Sequence, residues 1–187
     1  MPRRLLTGHA CALLILGMSL SPLAAQPNAI DGAVLRGALL VNFAKFIRWP
    51  KRGTAASAQP FVVCVHQDAT AIAALGSRAG TKVQGRLLEA RSAGGDVDSV
   101  RVCQVLFVGK SASTDSRRLA SAVAGSAVLI VSERAEDASL AAIMLEEVDG
   151  RVAFDVNLAA ARAAGLEVDS QLLGIARRVT ELGVKAR

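Results

Sequence analysis

Three apolar runs rich in β-branched residues, Phe61–His66 (FVVCVH), Val102–Val108 (VCQVLFV) and Ala127–Val131 (AVLIV), constrain the fold of this chain more than any other feature. A strand with one face in water alternates apolar and polar side chains, whereas a near-continuous apolar run marks a strand covered on both faces. Helix signals lie between the runs. Asp68 can cap a helix that reaches Leu75 and stops around Gly76–Gly80, and Thr114 or Ser116 can start another to about Ala124. Ser132 can cap a short helix over Glu133–Leu140, Val83–Ala90 is a weaker strand, and Ser92–Asp98 is a turn-rich loop. Buried strands alternating with helices predict an α/β fold, a mainly parallel sheet flanked by helices on both faces.

The pattern changes in the C-terminal half. Ile143–Val148 and Arg151–Asn157 flank Asp149-Gly150, a pair that a tight two-residue hairpin turn prefers. That register sets Glu147 opposite Val152, Leu145 opposite Phe154 and Ile143 opposite Val156. One face is then apolar and the other polar, which predicts a β-hairpin at the sheet margin. Leu158–Ala164 reads as a helix ended by Gly165. Asp169 or Ser170 caps a last helix, with Leu172, Leu173, Ile175, Ala176 and Val179 expected on its buried side.

Ahead of the first buried strand, Leu35–Pro50 (LRGALLVNFAKFIRWP) holds three of the chain's aromatic residues, Phe43, Phe46 and Trp49. Helix formers run from Val34 to Arg48, and Pro50 ends the run because its ring bars the preceding residue from helical geometry. Leu35, Leu39, Leu40, Phe43, Phe46 and Ile47 cover one broad face, while Ile30, Val34, Ala38 and Val41 cover another. A helix apolar nearly all round is either sunk in its own core or touches two things. On the second reading Leu39, Phe43, Phe46 and Trp49 are the expected partner-binding residues.

The chain opens with Met1-Pro2-Arg3-Arg4, an apolar run to about Leu23 and then Ala24-Ala25. A charged start, a short apolar centre and small residues at the exit describe a secretory signal peptide over residues 1–25, which leaves residues 26–187 as one domain. The formal charge is +6 and falls once Arg3 and Arg4 leave with the leader. The basic residues are scattered rather than gathered on one face, so nucleic acid is not an expected partner. Two of the three cysteines, Cys64 and Cys103, remain after the leader, and an even count in an exported chain reads as a disulfide. Closing a loop of about 40 residues would stabilise the fold by roughly 4 kcal/mol on the chain-entropy model. A Cys64-x-His66 metal pair lacks further ligands, since His66 is the one histidine after the leader; no metal and no cofactor is expected.

Catalytic patterns are poorly represented. A serine triad would have to use His66, but no Gly-x-Ser-x-Gly elbow exists. Gly94-Gly95 meets no phosphate-cradling pattern, and Glu146-Glu147 point to opposite faces of one strand. His66, at the C-terminal end of a strand expected to be parallel, stands where α/β proteins place ligands and is a weak ligand-binding candidate. The residues therefore describe a binding or regulatory domain and no enzyme, with a small-molecule sensor as the alternative.

The segments LLVNFAKFIRWP, FVVCV, CQVLFVG, AVLIVS and RVAFDVNLAAARAAGLEVDSQLLGIA together resemble the YfiR family of exported bacterial proteins. The resemblance runs from about Ala33 to Arg178. Its most specific parts are Asn42-Phe43-Ala44-Lys45-Phe46 with Trp49-Pro50, and Phe154 with Asn157-Leu158, Ala161 and Gly165-Leu166. It implies a periplasmic regulator that restrains a membrane diguanylate cyclase through the enzyme's periplasmic part, limiting cyclic di-GMP and biofilm formation. It further implies relief by an outer-membrane, peptidoglycan-associated lipoprotein and tuning by disulfide redox state. A homodimer is, independently of the resemblance, a further candidate assembly. Cys64 and Cys103 sit where a family disulfide is expected. The family's second disulfide has no counterpart here, and Ser139-Leu140-Ala141-Ala142 replaces the Gly-Gly turn that many relatives carry before the hairpin.

Overall fold

The structure, a computed structural model, describes residues 32–50, 59–113, 115–148 and 151–181. The expected signal peptide, Ile30 and the Asp149-Gly150 turn lie outside the described residues, as do most of the loop after Pro50 and Thr114. The elements in chain order are α1 (Gly32–Phe46), β1 (Ile47–Arg48), β2 (Phe61–His66), α2 (Ala69–Gly76), β3 (Lys82–Val83), β4 (Arg86–Ala93), α3 (Val97–Arg101), β5 (Val105–Val108), α4 (Asp115–Val123), β6 (Leu129–Ser132), β7 (Ile143–Val148), β8 (Arg151–Asn157), α5 (Leu158–Ala163), β9 (Glu167–Val168), α6 (Ser170–Ile175) and β10 (Arg178–Thr180). Eight strands form one mixed, mostly parallel sheet in the order β10-β8-β7-β6-β5-β2-β4-β3. Only the pairs β3–β4 and β7–β8 are antiparallel in it.

The three apolar runs supply the central strands β2, β5 and β6, every residue of which is buried. Alternate side chains enter two separate clusters. Phe61, Val63, Val65, Val105, Phe107, Leu129 and Val131 pack with residues of α1, α2, α5 and α6. Val62, Cys64, Leu106, Val108 and Ile130 pack with residues of α3 and α4. The period of two along a strand makes this division unavoidable: a run apolar at every position must find apolar cover on both sides.

Asp68, Asp96, Asn157 and Asp169 each accept a backbone N–H from the first turn of the helix they precede, satisfying donors that have no partner within the helix. At the other end of α1, the side chain of Gln84 donates to the carbonyls of Ala44 (3.1 Å) and Ile47 (2.6 Å). Gln84 can do so because it sits in a two-residue turn with Gly85, both at positive φ (51° and 79°), which reverses β3 into β4. The sequence suggests one weak strand over Val83–Ala90, and the structure has this hairpin instead.

Several other elements depart from expectation. The first helix ends at Phe46 rather than Arg48: Ile47 and Arg48 pair with Val168 and Glu167 as a separate two-stranded ribbon. The turn-rich stretch after Ser92 contains α3, and only a 3-10 turn, Ala135–Asp137, forms where a short helix was expected. The β7–β8 register places Glu147 opposite Val152, Leu145 opposite Phe154 and Ile143 opposite Val156, but the hairpin is not the margin. β10 lies outside it, parallel to β8. Ile175 at the end of α6 (70% exposed) and Val179 in β10 (39%) face solvent instead of the core. Leu172 is buried as expected, and Leu173 and Ala176 are half-buried against the core.

Candidate partner-binding surface

The helix α1 crosses the sheet on the side that also carries α2, α5 and α6. It buries Ala33, Gly37, Leu40, Val41, Phe43 and Ala44. Those six positions fall on one side of a helix at about 100° per residue. Close approach to α2 is possible because Gly37 has no side chain: a Cβ there would lie 3.2 Å from the Ala74 Cβ and 3.3 Å from its carbonyl carbon. On the opposite side, Leu35, Ala38, Leu39 and Phe46 are half-buried and Val34 is 45% exposed. Asn42 and Lys45, joined by a 3.3 Å hydrogen bond, are the polar members of that outward stripe. A helix lying on a sheet normally turns charged residues outward. Here the outward side is mostly apolar.

The four residues expected at a partner surface separate. Phe43 is 1% exposed and meets Phe154 edge to face with ring centroids 5.0 Å apart, so it is a core residue and does not reach the surface. Leu39 and Phe46 are half-buried on the outward stripe. Trp49 is also half-buried but is anchored from within: its indole N–H donates to the Ala127 carbonyl at 3.1 Å, and its ring stands edge-on to Phe61 at 5.3 Å. That bond ties the segment after α1 to the start of β6. A neighbouring backbone bond, from the Asp169 N–H to the Phe46 carbonyl at 2.9 Å, sets the start of α6 against the end of α1.

Cys64 and Cys103 form a disulfide, with Cα atoms 5.8 Å apart, and both are completely buried. It joins β2 to the turn between α3 and β5. His66 does lie at the C-terminal end of β2, but it is 1% exposed, and its Nδ1 is 3.2 Å from the Ala93 carbonyl. The expectation of a ligand-facing histidine is therefore corrected: the ring is buried and does not open to solvent. Among the described residues no cluster of His, Cys, Asp and Glu could hold a metal ion.

The C-terminal ends of the strands instead border a cleft of about 400 Å³ lined by Arg36, Asp68, Lys110, Glu133 and Glu146 among others. Arg36 Nε lies 3.8 Å from Asp68 Oδ2 and 3.6 Å from Glu133 Oε1. Burial pushes the Asp68 carboxyl up, but hydrogen bonds from the Thr70 hydroxyl and the Ala71 N–H, with Arg36 beside it, outweigh burial and hold it below the ordinary value. Sequence reasoning located this end of the sheet but not these residues. Arg36, Asp68 and Glu133 come from three separate elements, and no local pattern announces them.

A family model described as YfiR/HmsC-like matches residues 33–177, so the chain belongs to that family. The match begins at the second residue of α1 and ends just before β10. It therefore takes in the outward stripe, the disulfide and the strand-end cleft together.

Proposed function

We propose that this member of the YfiR/HmsC-like family is an exported regulator without catalysis of its own. It binds the periplasmic part of an inner-membrane signalling enzyme such as a diguanylate cyclase and restrains it. The single observation that carries this reading is the outward side of α1, mostly apolar over three turns on a helix whose other side already serves the core. Apolar side chains left partly open together on one element mark an interaction surface more often than scattered ones do. Leu39 and Phe46 are its contact residues, Val34, Leu35 and Ala38 complete it, and Trp49 holds its C-terminal end in place. Phe43 acts from beneath, through packing.

Residues 1–25 serve as the export signal in this reading, and residues 26–187 form the domain that works in the periplasm. The buried disulfide supports an oxidising compartment. No helix among the described residues is long and apolar enough to cross a membrane. An outer-membrane, peptidoglycan-associated lipoprotein is the proposed second partner, competing with the enzyme and relieving restraint. The test is capture of the enzyme from detergent-solubilised inner membranes by the purified protein. Leu39→Asp and Phe46→Asp should each abolish capture, whereas Arg151→Gln, on the hairpin, should leave it intact. Capture that persists in both α1 variants would move the interface elsewhere.

The strand-end cleft favours a second reading, a small-molecule sensor, since open α/β sheets bind ligands at that end. A rise in melting temperature with a periplasmic metabolite, lost in Arg36→Gln, would support it.

A further inference from the structure

A second cleft, of about 450 Å³, opens at the opposite end of the strands and is lined by Gln59, Pro60, Val62, Arg86, Arg91, Arg101, Val102 and Gln104. Three arginines line it and no acid does. That contrasts with the cleft at the C-terminal strand ends, whose lining includes the acids Asp68, Glu133, Glu146 and Glu147. The wall around Arg86 is built rather than loose. Its Nε donates to the Gln59 carbonyl (2.7 Å), and one terminal nitrogen reaches the Pro60 carbonyl and Gln104 Oε1 (3.2 Å). The guanidinium also lies 5.5 Å from the centre of the Phe61 ring. Gln104 is itself fixed, because Oε1 accepts the Val62 N–H at 2.7 Å and Nε2 donates to the Val102 carbonyl at 3.2 Å.

The other two arginines keep donors to spare. Arg91 gives Nε to Glu89, at 2.5 Å, and among the described residues its two terminal nitrogens have no hydrogen-bond partner. Among the described residues Arg101 is paired only with Asp98, at 3.9 Å, beyond hydrogen-bond distance. A guanidinium binds a phosphate or carboxylate through two parallel N–H donors, so terminal nitrogens left over on arginines of one cleft are the groups an oxyanion uses. Val62 and Val102 add an apolar floor, and Val102 is 49% exposed. Val62 belongs to the cluster on the side of the sheet away from α1, and none of the residues lining this cleft belongs to α1.

We propose that this cleft is a binding site for a phosphate ester, with Arg91 and Arg101 grasping the phosphate, Arg86 as the fixed positive wall, and Val62 and Val102 meeting the ester's apolar part. The ester comes either as a soluble molecule or as a lipid headgroup. Two probes distinguish them: phenyl phosphate followed by calorimetry, and sedimentation with phosphatidylcholine vesicles with or without phosphatidylglycerol, both at low salt because screening weakens exposed charge pairs. The double variant Arg91→Gln/Arg101→Gln should weaken the probe that binds by about tenfold or more. Arg117→Gln/Arg151→Gln, which removes the same charge elsewhere on the surface, should change it by less than about twofold. All four side chains are exposed, and an unchanged circular-dichroism melt confirms that both double variants fold. If phenyl phosphate shows this pattern the ligand is soluble; if only the phosphatidylglycerol vesicles show it, the headgroup is the ligand. Binding of neither probe, or equal weakening by the two double variants, overturns the proposal.

Discussion

Cys64 and Cys103 show how burial changes what a disulfide can do. Both are completely enclosed, so a thiol reductant reaches them only after local opening. In native buffer the bridge should resist millimolar reductant, and it should be cleaved rapidly once denaturant is added; thiol labelling followed by mass measurement reads the difference. Rapid reduction without denaturant would show that the β2 edge of this cluster opens freely. Replacing both residues by Ser should lower unfolding stability by about 2–4 kcal/mol, measured by urea denaturation. Asp155 offers a pH-dependent counterpart. Arg177 binds it through two hydrogen bonds (2.8 and 2.7 Å) while also reaching Glu146. Arg177's hydrogen bonds hold the Asp155 carboxyl below the ordinary range, against the opposing effect of burial, with the charges of Arg177 and Arg178 adding to the shift. A lowered folded value means the contribution is fully present above the unfolded carboxylate pKa and is lost as pH falls through the folded one. Asp155→Asn should therefore flatten the acid limb of a stability-against-pH curve and change little at neutral pH slopes. An unaltered acid limb would assign the acid sensitivity to other carboxylates.

At the scale of elements, α1 has one side in the core and, in the proposed function, the other against a partner, and substitutions should separate the two. Phe43→Ala empties a site packed against Phe154 and should cost about 3–5 kcal/mol, read by urea denaturation. Leu39→Asp and Phe46→Asp alter half-buried positions, so their melting should fall less than that of Phe43→Ala while partner capture disappears. Gly37→Leu should destabilise strongly as well, because its side chain would enter the space held by Ala74 and force α1 from α2. A Gly37→Leu protein that melts like the parent would show that the two helices do not need this close approach.

For the whole molecule, the sheet's two edges differ. β3 is two residues long and folds back on β4, whereas β10 is an exposed strand that covers β8. Arg177 clamps the chain just before β10 through its N–H to the Phe154 carbonyl (2.9 Å) and its side chain to Asp155. Ending the protein after Ala176 removes this cover and bares the hydrogen-bonding groups of β8. Such a truncated protein should melt lower and associate in a concentration-dependent way, since an unpaired strand is a template for pairing with another chain. Light scattering over a range of concentrations checks this, and a monomeric truncated form with unchanged melting would make β10 dispensable.

Much of this protein was legible residue by residue. Short apolar runs rich in β-branched residues read as doubly covered strands, and the caps Asp68 and Asp169 announce helix starts through local chemistry. The β7–β8 register follows from the period of two, and Cys64 with Cys103 from their number in a chain that reads as exported. Other features depend on what lies opposite in space. Whether Phe43 or Phe46 faces out is a matter of which side of α1 meets Phe154, since a helix apolar all round carries no mark of its inner side. His66 reads as a strand-end residue open to a ligand, yet the tertiary structure buries it. The margin of the sheet passed to β10 because its pairing with β8, more than twenty positions away, outweighs the helical pattern of its own neighbourhood. The two clefts belong to this second kind. Arg36, Asp68 and Glu133, like Arg86, Arg91 and Arg101, meet only through the strand order, and strand order is set by the packing of the whole sheet rather than by any local run of residues.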